Sequence, residues 1–159
     1  MFVWRLIKDR LPTRDNLKKK RVELQDYLCP FCRLEDESAS HLFFHCRKII
    51  PLWWESMAWV NLVGVFPHQP SLPFLQHFYG VFEGLHAKRW QQWWLALTYT
   101  MWKHRNSIIF SNGSFNAQKI MDDAVFLLWS WLRCFEKNFT PHFNQWSSNL
   151  KDGFCWTRT

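Results

Sequence analysis

Cys29, Cys32, His41 and Cys46 constrain this chain more than any other residues. They stand in the run CPFCRLEDESASHLFFHC with the spacing C-x2-C-x8-H-x4-C. Two cysteines separated by two residues make a tight knuckle that offers one face of a tetrahedral ion. A histidine and a cysteine five positions apart, at the start of an expected helix, supply the other face. A Cys3His set of soft and borderline ligands suits zinc. Four protein ligands leave no position for water, so the expected ion is single and structural, not catalytic. His45 competes with His41 as a ligand, but it adjoins Cys46, and adjacent residues on a helix diverge. His41 and Cys46 share a face after slight unwinding, which favours His41. Ordinary buried thiols are the bland explanation, and four ligand-type residues in so short a stretch argue against it.

The body around that cluster reads as mainly α. The 159 residues include 12 Trp and 15 Phe but only 5 Gly, a balance that favours helices packed through large flat side chains. The fold expected is a small zinc-stapled helical domain over 1–62, a linker over 63–73 that holds Gly64, Pro67, Pro70 and Pro73, a Trp-rich helical hairpin over 74–138 and a loose tail over 139–159. In the front part, Phe2, Leu6, Ile7 and Arg10 fit one helical stripe that Pro12 ends, and Thr13 caps a basic helix through Lys20. Ser38 or Ser40 caps the segment carrying His41. Pro51 interrupts the chain before an aromatic helix with Leu52, Trp53, Trp54 and Trp59. In the rear part, Trp90, Trp93, Trp94, Leu97, Met101, Trp102 and Ile108 recur at helical spacing. Asn112-Gly113 is a turn, Ser114 or Asn116 a cap, and Ile120, Ala124, Leu127, Leu128, Trp131 and Phe135 the inner face of a last helix.

Charge and cysteine usage narrow the partners. The five cysteines show no even disulfide framework, which points to a reducing, intracellular setting, nuclear or cytoplasmic. The opening MFVWRLIKDR carries charges inside its apolar stretch, unlike a signal peptide, and no apolar run is long enough to span a membrane. A soluble protein with no membrane partner and no small-molecule substrate is expected. The formal net charge is +7, and the basic residues crowd ahead of the first cysteine. Arg14, Lys18 and Arg21 recur at helical spacing, and Lys19 and Lys20 widen that face. Such a face attracts nucleic acid through phosphate contacts that are weak, salt-dependent and largely indifferent to sequence. A merely solvated helix face is the alternative.

No catalytic constellation emerges. Asp122-Asp123 resembles the paired aspartates of a polymerase site, but it opens a helical stretch and lacks a third carboxylate. His104 reads as a surface or satisfied histidine and Cys134 as core packing. The Trp stripe reads as core more than as a base-stacking platform, with Arg89, Lys103 and Arg105 nearby as the cations stacking would need. The chain is expected not to be an enzyme.

Several motifs in order carry a resemblance. Trp4, Leu11-Pro12-Thr13, Leu17, Cys29, Cys32, Glu37, Ser38, His41-Leu42-Phe43 and Cys46, followed by LWW, resemble the reverse-transcriptase zinc-binding domain of plant non-LTR (LINE-type) retrotransposons. The later WKHRNSIIF resembles a W-x-x-R-N-x-x-x-F segment that such polyproteins carry downstream. The resemblance implies a piece of a larger element, outside its catalytic parts, that assists in holding RNA or DNA. The alternative is a structural or protein–protein interaction module, or a degenerate fragment without retained function.

Overall fold

The computed structural model describes residues 1–61 and 84–155. The expected linker therefore lies outside the described residues, as does the start of the Trp-rich region. The front half contains α1 (Phe2–Ile7), α2 (Arg14–Lys19), a π-helical turn (His41–His45) and α3 (Ile50–Trp59). The rear half contains α4 (Gly84–Phe110), α5 (Ala117–Phe135), α6 (Phe143–Ser148) and α7 (Leu150–Cys155). Among the described residues the β structure is one isolated bridge, Leu28 with Asp36. The mainly helical expectation holds.

Local chemistry explains where the short front helices start and stop. α1 buries Leu6 and ends well before Pro12, because Asp9 takes a left-handed φ of 50°. Pro12 is therefore not what ends it. Asn16 ties down the reversed chain, its Nδ2 donating to the Asp9 backbone oxygen, Asp9 Oδ1 and the Leu11 oxygen, each at 3.0 Å. Thr13 sits at the N-cap of α2, but its hydroxyl donates to Asp15 rather than capping the helix. The first free amides go to Glu37 instead: Arg14 N–H donates to Glu37 Oε1 at 2.8 Å and Asp15 N–H to the Glu37 backbone oxygen at 3.2 Å. α2 stops at Lys19, one residue earlier than expected, and Arg21 follows at φ 61°. Pro51 lies in the first turn of α3, where its missing N–H costs nothing, so it opens the helix rather than interrupting the chain.

α4 and α5 form the expected hairpin, turned at Asn112 with φ 51°. Asn116 caps α5, accepting from Lys119 N–H at 3.0 Å. The buried stripe of α5 is Ile120, Met121, Ala124, Val125, Leu128 and Leu132. Leu127 and Trp131 are only half-buried, and Phe135 and Cys134 are exposed, so Cys134 is not core packing. On α4, Trp90, Trp93, Trp94, Leu97 and Met101 are fully buried. Trp94 meets Trp53 of α3 at 4.3 Å between ring centroids and Phe44 of the π-turn at 5.4 Å. Front and rear thus share one aromatic core.

The stretch expected to be loose from 139 onward is ordered as far as it is described. α6 and α7 each insert one aromatic, Trp146 and Phe154, and both are buried. Phe154 stacks on Trp59 with centroids 5.8 Å apart and planes at 19°. A Cβ on Gly153 would stand 2.3 Å from the Trp146 ring, so this close approach needs glycine. Arg89 clamps the segment, pairing with Glu136 through Nε at 3.0 Å and Nη2 at 2.7 Å, and donating to the Gly153 carbonyl. Helices of six residues are too short to show a sequence period, which is why the tail looked unstructured. Among the described residues no helix is long and apolar enough to cross a membrane.

Candidate metal centre and its basic surroundings

Each half of the Cys3His cluster is built by a local backbone device. The first pair lies on a tight hairpin across 27–37. Glu37 N–H donates to the Tyr27 oxygen at 2.8 Å and Cys29 N–H to the Glu35 oxygen at 2.7 Å. Arg33, at φ 57°, closes the knuckle by donating its N–H to the Cys29 oxygen at 2.9 Å. The second pair depends on the π-turn. Ser38 Oγ accepts from His41 N–H at 3.1 Å and starts it; Cys46 N–H donates to the His41 oxygen at 2.7 Å and closes it. In an α-helix, residues five apart point about 140° away from each other. The i→i+5 bond of a π-turn brings them to one side. The slight unwinding anticipated from the spacing is this turn.

The four ligand atoms of Cys29, Cys32, His41 and Cys46 lie within 4.8 Å of one another, and all four residues are buried. The Cys29 and Cys46 sulfurs are 4.0 Å apart, and Cys32 Sγ is 3.4 Å from His41 Nε2. With metal–sulfur bonds of about 2.3 Å and metal–nitrogen bonds of about 2.0 Å, a tetrahedral ion separates two sulfurs by about 3.8 Å and sulfur from nitrogen by about 3.5 Å. The residues present fit one tetrahedral metal ion. His45 turns away, its Nδ1 lying 3.0 Å from Ser40 Oγ and 3.1 Å from the Ser40 oxygen. His41 is held from behind by Glu35, whose Oε2 is 3.3 Å from Nδ1, leaving Nε2 for the cluster.

The four groups hold one another's protons. The Cys29 thiol is pushed up to about 12 by its hydrogen bond to Cys46 and by burial, while the same bond lowers Cys46. His41 is raised to about 9, first by its hydrogen bond to Cys29. Metal binding has to expel these protons, so it strengthens as pH rises.

The basic residues ahead of the cluster are not equivalent. Arg14 is committed to an ion pair with Asp26, which Arg33 also reaches at 3.2 Å. Lys18 lies over the Tyr27 ring at 4.8 Å. Lys19 faces Asp15 at 3.6 Å and Asp9 at 4.0 Å. Lys20 and Arg21 are exposed. Two of the three cations near the Trp stripe are likewise spent, because Arg89 pairs with Glu136 and Arg105 with Glu37.

Glu37 is the functional residue that spacing arguments passed over. Its side chain is fully buried, and its oxygens accept from Arg105 Nε at 2.9 Å and Nη2 at 2.6 Å as well as from Arg14 N–H. One residue thus caps α2 and anchors it to α4 through its carboxylate, and closes the knuckle hairpin through its backbone. Its signal in the sequence was its place in the acidic element beside the second ligand pair, and Arg105 stands in WKHRN. Asp122 and Asp123 make exposed contacts along α5, to Gln118 at 2.8 Å and Lys119 at 3.0 Å. His104 is buried and satisfied, its Nε2 accepting from Asn116 N–H at 3.0 Å.

Comparison with known proteins agrees with this geometry. No curated protein and no solved structure matches the chain. Residues 1–53 match a family model described as zinc-binding in reverse transcriptase, and that span holds all four clustered residues together with Glu35 and Glu37. The front third of this chain is therefore similar to the reverse-transcriptase zinc-binding family.

Proposed function

We propose that this chain is a non-catalytic module of a LINE-type retrotransposon polyprotein of the plant kind, stapled by one structural zinc and assisting the capture of RNA or DNA. The observation that carries the reading is the buried Cys3His cluster inside the segment that matches the family model. A closed four-ligand site keeps no position for substrate or activated water, and this supports a structural role for the ion. The order of the front motifs and the later WKHRN segment support the retroelement origin, which an upstream polymerase frame in the genomic flanks would test. The excess of cations ahead of Cys29 supports a polyanionic partner.

Two measurements test the reading together. Purified protein should carry one equivalent of zinc, lost in Cys29→Ala and in Cys46→Ala. Its affinity for single-stranded RNA should fall steeply with salt. Changing Lys18, Lys19, Lys20 and Arg21 together to Gln should flatten that slope while leaving the zinc in place. Binding no better than an unrelated protein of equal net charge would leave only a structural staple. Full zinc retention in both cysteine variants would remove the metal assignment.

A further inference from the structure

We propose that the groove between α1 and α2 is a single-stranded nucleic-acid site, in which Trp4 stacks on an unpaired base while Arg5, Arg10 and Lys20 hold the flanking phosphates. The proposal rests on the nucleic-acid reading above and gives it a location. The groove has a volume of about 630 Å³, and its walls include Trp4, Arg5, Asp9, Arg10, Lys19 and Lys20. That volume lies within the usual range for ligand clefts.

Trp4 differs from the tryptophans of the core. Trp90, Trp93 and Trp94 are no more than 1% exposed, whereas Trp4 is 51% exposed. α1 turns Phe2 and Leu6 inward, with Phe2 against Phe43 at 6.1 Å and Tyr99 at 5.6 Å, so the core does not use the Trp4 indole. Trp54 is more exposed still, at 62%, but no cation lies over its ring among the described contacts. Over Trp4 the Arg10 guanidinium sits 5.1 Å from the ring centroid.

The backbone puts it there. The left-handed turn at Asp9 reverses the chain, and Arg10 N–H donates to the Arg5 oxygen at 2.7 Å. Arg10 is thereby carried back over the indole, and Arg5 shares the lining of the same groove.

Charge selects the occupant. The one acid in the groove, Asp9, is occupied by Asn16 at 3.0 Å and faces Lys19 at 4.0 Å. Arg5, Arg10 and Lys20 have no carboxylate partner among the described residues and are exposed. A half-exposed indole beside unneutralised cations matches a strand that alternates base and phosphate. Duplex bases are stacked on one another and offer no such face, so the groove discriminates by strandedness rather than by sequence. Arg14 and Lys18, spent on Asp26 and Tyr27, lie outside it.

Fluorescence anisotropy with labelled oligouridylate RNA, oligothymidylate DNA and a DNA duplex tests this on the full chain. Trp4→Ala should weaken single-strand binding by about 5- to 100-fold, with duplex binding and the salt slope unchanged. Trp4→Phe should recover most of the loss. Arg10→Gln should lower the salt slope by about one. Loss on RNA alone assigns the groove to RNA, and equal loss assigns it to either single strand. Unchanged zinc content and helical circular dichroism separate these effects from misfolding. If the parent binds single strands and Trp4→Ala binds them equally well, the groove is not the site, although the broader reading survives. If the parent binds none of the three probes, the broader reading falls and this one with it.

Discussion

Residues 1–61 and residues 84–155 reach a buried core by different means. The front has six-residue helices, α1 and α2, which are too short to persist alone, joined by reversals at Asp9, Arg21 and Arg33. Its order depends on side chains that gather several backbone segments at once: Asn16, Glu37 and the four ligand-type residues. The rear contains a helix of 27 residues that buries a Trp-rich stripe and one of 19 residues that buries an aliphatic stripe, and these two need no such gathering point. A metal ion held by these four residues would therefore have much to organise in front and little behind. The halves meet at Trp53 against Trp94 and at Glu37 against Arg105.

Metal removal should produce the largest difference between them. Apparent binding free energies for structural zinc in small peptides are about 10–16 kcal/mol, and much of that is folding free energy. Chelation followed by hydrogen exchange should expose the amides across 27–46, while α4 and α5 keep their slow exchange. Simultaneous loss of protection in both regions would break the contrast and make the molecule a single cooperative unit.

The Glu37–Arg105 pair sharpens the comparison at the seam. Both side chains are nearly inaccessible, at 0% and 4%. Removing one partner strands a buried charge, at a cost of about 3–5 kcal/mol. Arg105→Met and Glu37→Met should each lower the denaturant midpoint strongly, and the double variant should lose less than the two losses added. Glu37→Met should be the worse single change, because Glu37 also accepts the first amide of α2. Strict additivity in this cycle would show that the contact does not couple the halves.

Local patterns were legible in the sequence, and distant pairings were not. The four ligand-type residues lie within eighteen positions, so spacing alone could propose them, and the Trp stripe of α4 announces itself through its period. Glu37 and Arg105 are 68 positions apart, and nothing in either neighbourhood says that one accepts from the other. Arg14, Arg89 and Arg105 counted equally toward the basic balance, yet each is spent on an internal carboxylate. Cys134 was misplaced because the inner face of α5 runs through Leu128 and Leu132, leaving Cys134 outside. The last two helices escaped notice since each buries a single large aromatic rather than a repeating stripe.

The smallest expected effect lies in the rear half, at the turn between α4 and α5. His104 Nε2 accepts the Asn116 N–H, so the ring must be neutral at that nitrogen for the cap of α5 to stay in place. Burial lowers the pKa of His104, and Lys119 lowers it further, while Asp123 and a backbone bond to Ser114 oppose the shift. Below about pH 6.5 the unfolded chain takes up this proton more readily than the folded one. The contribution of His104 is thus present above that value and lost as pH falls toward the depressed folded pKa. His104→Gln keeps an acceptor for Asn116 but does not titrate. The ligand-type residues titrate alike in both proteins, so the difference between their stability–pH curves isolates this histidine. The parent should lose more stability than the variant between about pH 7.5 and 5.5, with the extra exchange confined to the first turns of α5. Parallel curves would show that the rear half carries no acid-sensitive joint, leaving pH sensitivity to the front.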